Sequence, residues 1–325
     1  MLRQNINRSN MENFIGVYTV AIGILLTLLT HSTLIAAQTR STYISSQPLY
    51  DNPAEGSESW IYERQVIESG EQRTIYNTIE PVYEVHLPSS DNATGAAVVM
   101  LPGGAMRWLT VSPDTSAQIE TLLAQGIAVV LLEYRTLQMT PEEIERRSTP
   151  PPADAPPTVF PKMEIRNGNA NPSPDDPALN EVLRLATEDA HAALRLVHEN
   201  AQQWQINPDR IGVIGTSAGG GVGFSALMAD APEEEKPDFL VSIFGPSLVD
   251  IQAPADDAAP LFLVTEANHG PVTDGLLAIF SIWKDAGQPV ELHVYEVPNF
   301  SMTVELWGPR LFDWMREQGT LPTVR

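Results

Sequence analysis

The chain has 325 residues, enough for one domain with a full hydrophobic core behind an N-terminal leader. Its formal charge of −22 excludes a nucleic-acid-binding surface as the default and disfavours anionic membranes. It has no cysteine, so disulfides and thiolate metal sites are excluded.

Arg3 and Arg8 precede an apolar run from Phe14 to Thr30, and the run ends near the small pair Ala36-Ala37. Charge, then an apolar core, then small residues is the pattern of a secretory signal over 1–37; an uncleaved N-terminal anchor is the alternative. Either predicts an exported protein, periplasmic or extracellular, that meets the membrane only through this segment. Residues 38–59 are rich in Ser, Thr, Pro and Gly and predict a linker, with the folded domain over 60–325.

Short alternating runs at Glu63–Glu68, Thr74–Glu80 and Tyr83–Leu87 predict antiparallel strands at a sheet edge. From Gly95 the pattern changes. Ala96–Leu101 and Ala128–Tyr134 are continuous apolar runs, as in strands covered on both faces. Asp114–Gln125 predicts the helix between them, stopped by Gly126. The proline-rich stretch 136–180 predicts an irregular insertion that starts beside the carboxyl edge of the sheet.

Glu181–Gln202 predicts a long helix, followed by strands at Ile211–Ile214, Phe239–Phe244, Leu261–Val264 and Val290–Tyr295. Helices at Val272–Ala286 and Val304–Glu317 fill the remaining gaps. Strand and helix alternate. The fold class is therefore α/β, a doubly wound and mostly parallel sheet with antiparallel N-terminal edge strands.

Gly215-Thr216-Ser217-Ala218-Gly219 fits G-x-S-x-G between an apolar strand and a small-residue helix. The spacing is steric: side chains at Gly215 or Gly219 would collide with the neighbouring strand and helix, and Ser217 is left at the apex of a sharp turn. A new helix begins at Ala218, so free N–H groups point at the serine. A tight turn with an unreactive serine is the bland alternative.

These residues resemble the α/β-hydrolase superfamily, and within it secreted esterases of the acetyl xylan esterase-like or feruloyl esterase-like kind. The resemblance spans about Ala96 to Gly319. It is carried by Pro102-Gly103-Gly104 after the first long strand, by Glu188–Arg195 on the long helix, by Asn207–Gly212 before the elbow, and by Glu291–Glu296 on the last strand. It implies a serine carboxylic ester hydrolase with no cofactor and no metal, acting on a small-molecule or polysaccharide ester. It also implies an oxyanion hole from the backbone of Ala218 and of Gly104 or Ala105. The family usually has a third glycine where this chain has Ala105, and alanine resists positive φ.

The chain departs from the family at the other two triad positions. Asn268 or His269 stands where an aspartate is expected, and Phe300, which has no proton-accepting lone pair, stands where the histidine is expected. Two readings follow. In one, His269 serves as base from the acid's loop, oriented by Glu266 or Asp274; an exposed loop histidine is the alternative for that residue. In the other, the triad is degenerate and the site is slow, or only binds ligand as a saccharide-binding pseudo-hydrolase, with Trp108, Phe160 and Phe300 as stacking surfaces. His191 and His198 read as surface residues of the long helix. There is no H-E-x-x-H, which disfavours a zinc hydrolase.

Overall fold

The computed structural model describes residues 41–149, 163–298 and 301–323. The N-terminal signal or anchor, Phe160 and Phe300 lie outside the described residues.

Eleven strands and seven helices follow in chain order among the described residues. The strands are β1 (Thr42–Pro48), β2 (Gln65–Ser69), β3 (Gln72–Tyr76), β4 (Val82–Leu87), β5 (Ala97–Leu101), β6 (Trp108–Val111), β7 (Ala128–Glu133), β8 (Ile211–Thr216), β9 (Leu240–Ile243), β10 (Leu261–Glu266) and β11 (Val290–Tyr295). The helices are α1 (Pro113–Ala124), α2 (Pro141–Ser148), α3 (Pro177–Glu199), α4 (Ala201–Trp204), α5 (Ala218–Met228), α6 (Pro271–Asp285) and α7 (Val304–Glu317).

The main sheet has eight strands in the order β1-β4-β7-β5-β8-β9-β10-β11. β1 and β4 run antiparallel at one edge, and β7 through β11 are parallel. β5, β7, β8, β9 and β10 are buried along nearly their whole length, which is why they appear in the sequence as runs dominated by apolar residues. α3 packs against α5, and α1 against α7. The parallel strands all end at one edge, and the loops leaving β5, β8, β9 and β10 meet there.

Three expectations are corrected. Residues 38–59 do not form a linker throughout: β1 lies inside that span and pairs with β4, although it is polar and mostly exposed. β2 and β3 are not edge strands of the main sheet. β2 pairs with β3, and β3 with β6, in a separate three-stranded antiparallel sheet, and β6 follows the 102–107 turn directly. Alternation marks a half-buried strand but carries no information about which strand it pairs with. The 136–180 insertion holds regular structure at both ends, α2 and the first turn of α3. A Thr140–Glu143 capping box starts α2, and Ile144 buries it against Tyr76 and Met139.

A buried ion pair fixes the start of that insertion. Arg135, just past β7, donates to Asp189 of α3 from its backbone N–H at 2.9 Å and from Nη2 at 2.7 Å. Tyr50 donates its hydroxyl to the same carboxylate at 2.9 Å, and Arg135 also donates to the Glu55 carbonyl. The neighbouring Tyr134 donates its hydroxyl to the Pro102 carbonyl at 2.6 Å. The cluster therefore joins the N-terminal segment, the long helix and the turn after β5. Asp189→Ala leaves the Arg135 guanidinium buried without its counter-ion, and we expect a loss of about 3–5 kcal/mol in urea unfolding.

Candidate active site

Ser217 sits at φ 52°, ψ −123°, between the last residue of β8 and the first turn of α5. Non-glycine residues rarely hold positive φ, so this turn is strained. The glycines on either side make it possible. A Cβ on Gly215 would lie 2.4 Å from the Gly219 carbonyl oxygen, and a Cβ on Gly219 would lie 2.0 Å from that of Leu101. The Ser217 N–H donates to Ile243 O at 2.9 Å and holds the elbow to β9.

The turn after β5 approaches from the other side. A Cβ on Gly103 would come within 3.0 Å of the Ser217 Cβ. Gly104 has φ +151°, and a Cβ there would meet the Trp108 carbonyl oxygen at 1.7 Å. Ala105 and Met106 both hold positive φ, 54° and 60°. The missing third glycine therefore does not change the path of the chain; Ala105 takes the left-handed conformation despite its Cβ. The bond from Leu137 N–H to Met106 O, 2.8 Å, helps hold it there. Among the described residues, no backbone carbonyl accepts from the N–H of Ala105 or of Ala218. Ala218 is the first residue of α5, where a helix leaves its N–H groups unused.

His269 is 2% exposed, so the exposed-loop reading of this residue is wrong. Its Nδ1 lies 2.6 Å from Glu266 Oε2, and Glu266, the last residue of β10, is fully buried. Glu266, not Asp274, is the partner; Asp274 is exposed on α6. The other Glu266 oxygen accepts the Ser301 N–H at 3.1 Å. A carboxylate can only accept, so Nδ1 carries the proton and the neutral ring keeps its lone pair on Nε2. Phe244, at φ 37° after β9, stacks on the imidazole with centroids 5.5 Å apart. Burial holds the His269 pKa below the ordinary histidine value, and the Glu266 charge partly offsets this.

Ser217 and Ala105 stand where two cavities meet. One, of about 620 Å³, is lined by His269, Gly104, Trp108, Asp114 and Gln118. The other, of about 300 Å³, is apolar and lined by Ala218, Met106, Leu248 and four residues of the insertion or its helix, Met163, Ala170, Pro172 and Leu179. The described part of the insertion is thus a wall of the site. It is fixed by a bond from Ala170 N–H to Ser247 O and by Asn169 on Asp250.

The structure therefore brings together Ser217, His269, Gly104, Ala105 and Ala218. Asn268 is exposed and outside both cavities, and Phe300 lies outside the described residues. His191 is buried rather than superficial: its Nε2 lies 3.0 Å from Ala226 O and joins α3 to α5. Phe244 was missed from sequence, where nothing marks an aromatic residue at a strand end for positive φ.

An alpha/beta hydrolase fold family matches residues 178–259, which include the elbow. Solved structures match across most of the chain. The acetyl ester-xyloside bifunctional hydrolase of Caldicellulosiruptor lactoaceticus covers 85% of this chain and 97% of its own, with a TM-score of 0.54 at 18% identity. A thermophilic esterase of Thermogutta terrifontis covers 81% of this chain and 96% of its own, with a TM-score of 0.52 at 15% identity. The chain has the α/β-hydrolase fold. Among curated proteins, an acetylxylan esterase of Xylanibacter ruminicola is 23% identical over 154 residues, spanning 47% of this chain and 23% of the relative. This chain thus covers under a quarter of that protein. The resemblance to α/β-hydrolases of the acetyl xylan esterase kind is borne out, and at these identities the structural likeness is one of fold.

In α/β-hydrolases the loops after the parallel strands carry the chemistry. Here the β8 loop presents Ser217, the β5 loop presents Gly104 and Ala105, and the β10 loop presents both Glu266 and His269.

Proposed function

We propose that this protein is an exported serine carboxylic ester hydrolase that removes small acyl groups from saccharide esters. One observation carries the reading: a serine at a strained elbow shares a cavity with a buried histidine whose Nδ1 is held by a buried glutamate. The triad is not degenerate in this reading. Its acid and base have both moved to one loop.

Ser217 Oγ attacks the ester carbonyl carbon, and its proton passes to His269 Nε2. Glu266 holds the imidazole in the required tautomer and stabilises the imidazolium that forms. The carbonyl oxygen becomes an oxyanion and accepts from the N–H of Ala218 and of Ala105 or Gly104. As the intermediate collapses, the bond to the leaving oxygen breaks, and His269 returns its proton to the departing alcohol. Water then repeats the sequence on the acyl-serine, releasing the acid and restoring Ser217. The leaving alcohol lies on the His269 side, in the larger and more polar cavity, and the acyl group points into the apolar one. Asp114 and Gln118, joined by a bond from Gln118 Nε2 to Asp114 Oδ2 at 2.7 Å, give the larger cavity a polar wall, which supports a saccharide as the alcohol.

A fluorophosphonate probe tests the reading. It should label the wild-type chain on Ser217, located by peptide mass spectrometry. Labelling on another residue, or none, overturns it. A second test addresses the hole. Gly104→Ala forces the turn away from Trp108 and displaces the adjacent N–H groups, and kcat on p-nitrophenyl acetate should fall about 10²–10³-fold.

A further inference from the structure

In a chain of net charge −22, most described arginines have a carboxylate partner: Arg64 with Glu133, Arg73 with Glu84, Arg310 with Glu291. Four do not: Arg210, just before β8, and Arg107, Arg146 and Arg147, of which Arg107 follows the turn after β5 and the other two end α2. Among the described residues, no carboxylate forms an ion pair with any of the last three. All three are exposed, and Arg107 and Arg147 are close enough to repel each other. Like charges held together without a counter-ion are unfavourable unless something anionic completes them.

Their placement is not accidental to the site. The Arg147 guanidinium lies 3.4 Å above the Trp108 ring centroid. Trp108, Thr110 and Arg147 line the His269 cavity and also a second cavity of about 730 Å³ on the face of the small sheet, beside Gln72 and Tyr76. The two cavities are one groove running outward from Ser217, with Arg147 at the junction. Arg146 and Arg147 end α2, where cations complement the helix dipole. That accounts for charge at a helix end. It does not account for Arg107, which comes from a different loop, or for a guanidinium laid on the groove's tryptophan.

We propose that this groove takes the alcohol part of the ester as an anionic saccharide, with Arg147, aided by Arg146, holding a carboxylate or sulfate group and Arg107 adding positive charge nearby. The assignment deepens the ester hydrolase reading and rests on it. The alcohol belongs here because His269, which protonates the leaving oxygen, lines this cavity and not the apolar one. Asp114 lines the cavity of His269 and not the outer one, whereas Arg146 lines only the outer one, so the anion sits past Trp108, on a sugar beyond the esterified one. The arginines reverse the local sign of a chain that otherwise repels such substrates.

The test is steady-state hydrolysis by the full chain of acetylated xylotriose, acetylated trigalacturonate, an acetylated sulfated galactotriose and p-nitrophenyl acetate. At low salt, KM for at least one anionic trisaccharide should lie about tenfold below that for the neutral one, and added NaCl should erase the difference. Which anion wins separates uronate from sulfate. Arg147→Gln should raise KM for that substrate about tenfold with kcat kept, Arg147→Lys should restore part of it, and the change for the neutral trisaccharide and p-nitrophenyl acetate should be several-fold smaller. Equal KM values for neutral and anionic substrates overturn the proposal. So does an Arg147→Gln effect spread evenly over all four, which marks a packing role against Trp108. If wild type hydrolyses nothing, the hydrolase reading fails, and calorimetric titration of the two anionic trisaccharides into Ser217→Ala then decides the groove alone: salt-sensitive binding lost in an added Arg147→Gln supports it, and no binding overturns it.

Discussion

Ser217→Ala should lower kcat for p-nitrophenyl acetate and for an acetylated saccharide by at least about 10⁴-fold, with the fold intact. The size of the effect follows from the bond being made. In wild type the acyl group passes to Ser217 Oγ, and the variant has no atom there to take it. What remains is attack by water on an ester still held against the N–H groups of Ala218 and the 104–105 turn, and such remnants keep only a small part of the acceleration. Stability should be nearly unchanged. The Ser217 side chain does not cap α5, and alanine suffers the same backbone strain at φ 52°. The measurement is turnover beside thermal unfolding of both proteins. Unchanged turnover in a folded variant removes Ser217 from the mechanism. A wild type without turnover that binds a saccharide ester as tightly as Ser217→Ala would instead favour the pseudo-hydrolase.

How much of this was legible depended on whether one local rule decided the structure. The elbow was legible because its glycines answer to contacts of 2.0–2.4 Å that no other residue survives. The parallel core was legible because β5, β7, β8 and β10 are covered on both faces and are mostly apolar, with polar residues only at their carboxyl ends. β1 was not, since TYISSQP is mostly exposed and shows no period. β6 was missed because four residues after a turn give too little pattern, and without β6 the β2–β3 hairpin had no third strand to mark it as a separate sheet. The site was half legible. Sequence placed His269 on a loop at the working edge but gave no direction for its ring. That direction depends on Gly270 at φ +60° and on Pro271 starting α6 directly afterward, which fold the loop back over β10. Glu266 was named only as one of two partners, because every residue of β10 is buried and alternation cannot say which side chains face the site. Arg147 beside Trp108 joins helix α2 to strand β6 across 39 residues of chain, a pairing that no spacing rule reaches.

Activity should persist on the acid side of the ordinary histidine value, and both His269 and Glu266 should control where it fails. His269 accepts a proton from Ser217 only when neutral. Burial disfavours its imidazolium, so the ring stays neutral to a pH below 6.5, the ordinary value. The profile of kcat/KM should therefore rise with pH along a limb centred below 6.5 and be flat by neutrality. Glu266→Gln removes the charge that opposes burial. The limb then moves to still lower pH, while the plateau falls about 10⁴-fold, because an amide stabilises neither the tautomer nor the imidazolium formed in the transition state. His269→Gln should cost at least as much and abolish the limb. Stability supplies an independent check with a definite sign. The folded pKa of His269 is depressed, so the unfolded chain takes up its proton first as pH falls. The stabilising contribution is present above 6.5 and is lost as pH drops from there through the folded value. Urea unfolding of wild type should show that slope, and His269→Gln should lack it. A wild-type limb at or above 6.5, or a limb that survives unchanged in His269→Gln, would assign the base to another group and leave the buried Glu266–His269 pair a structural role in closing the β10 loop.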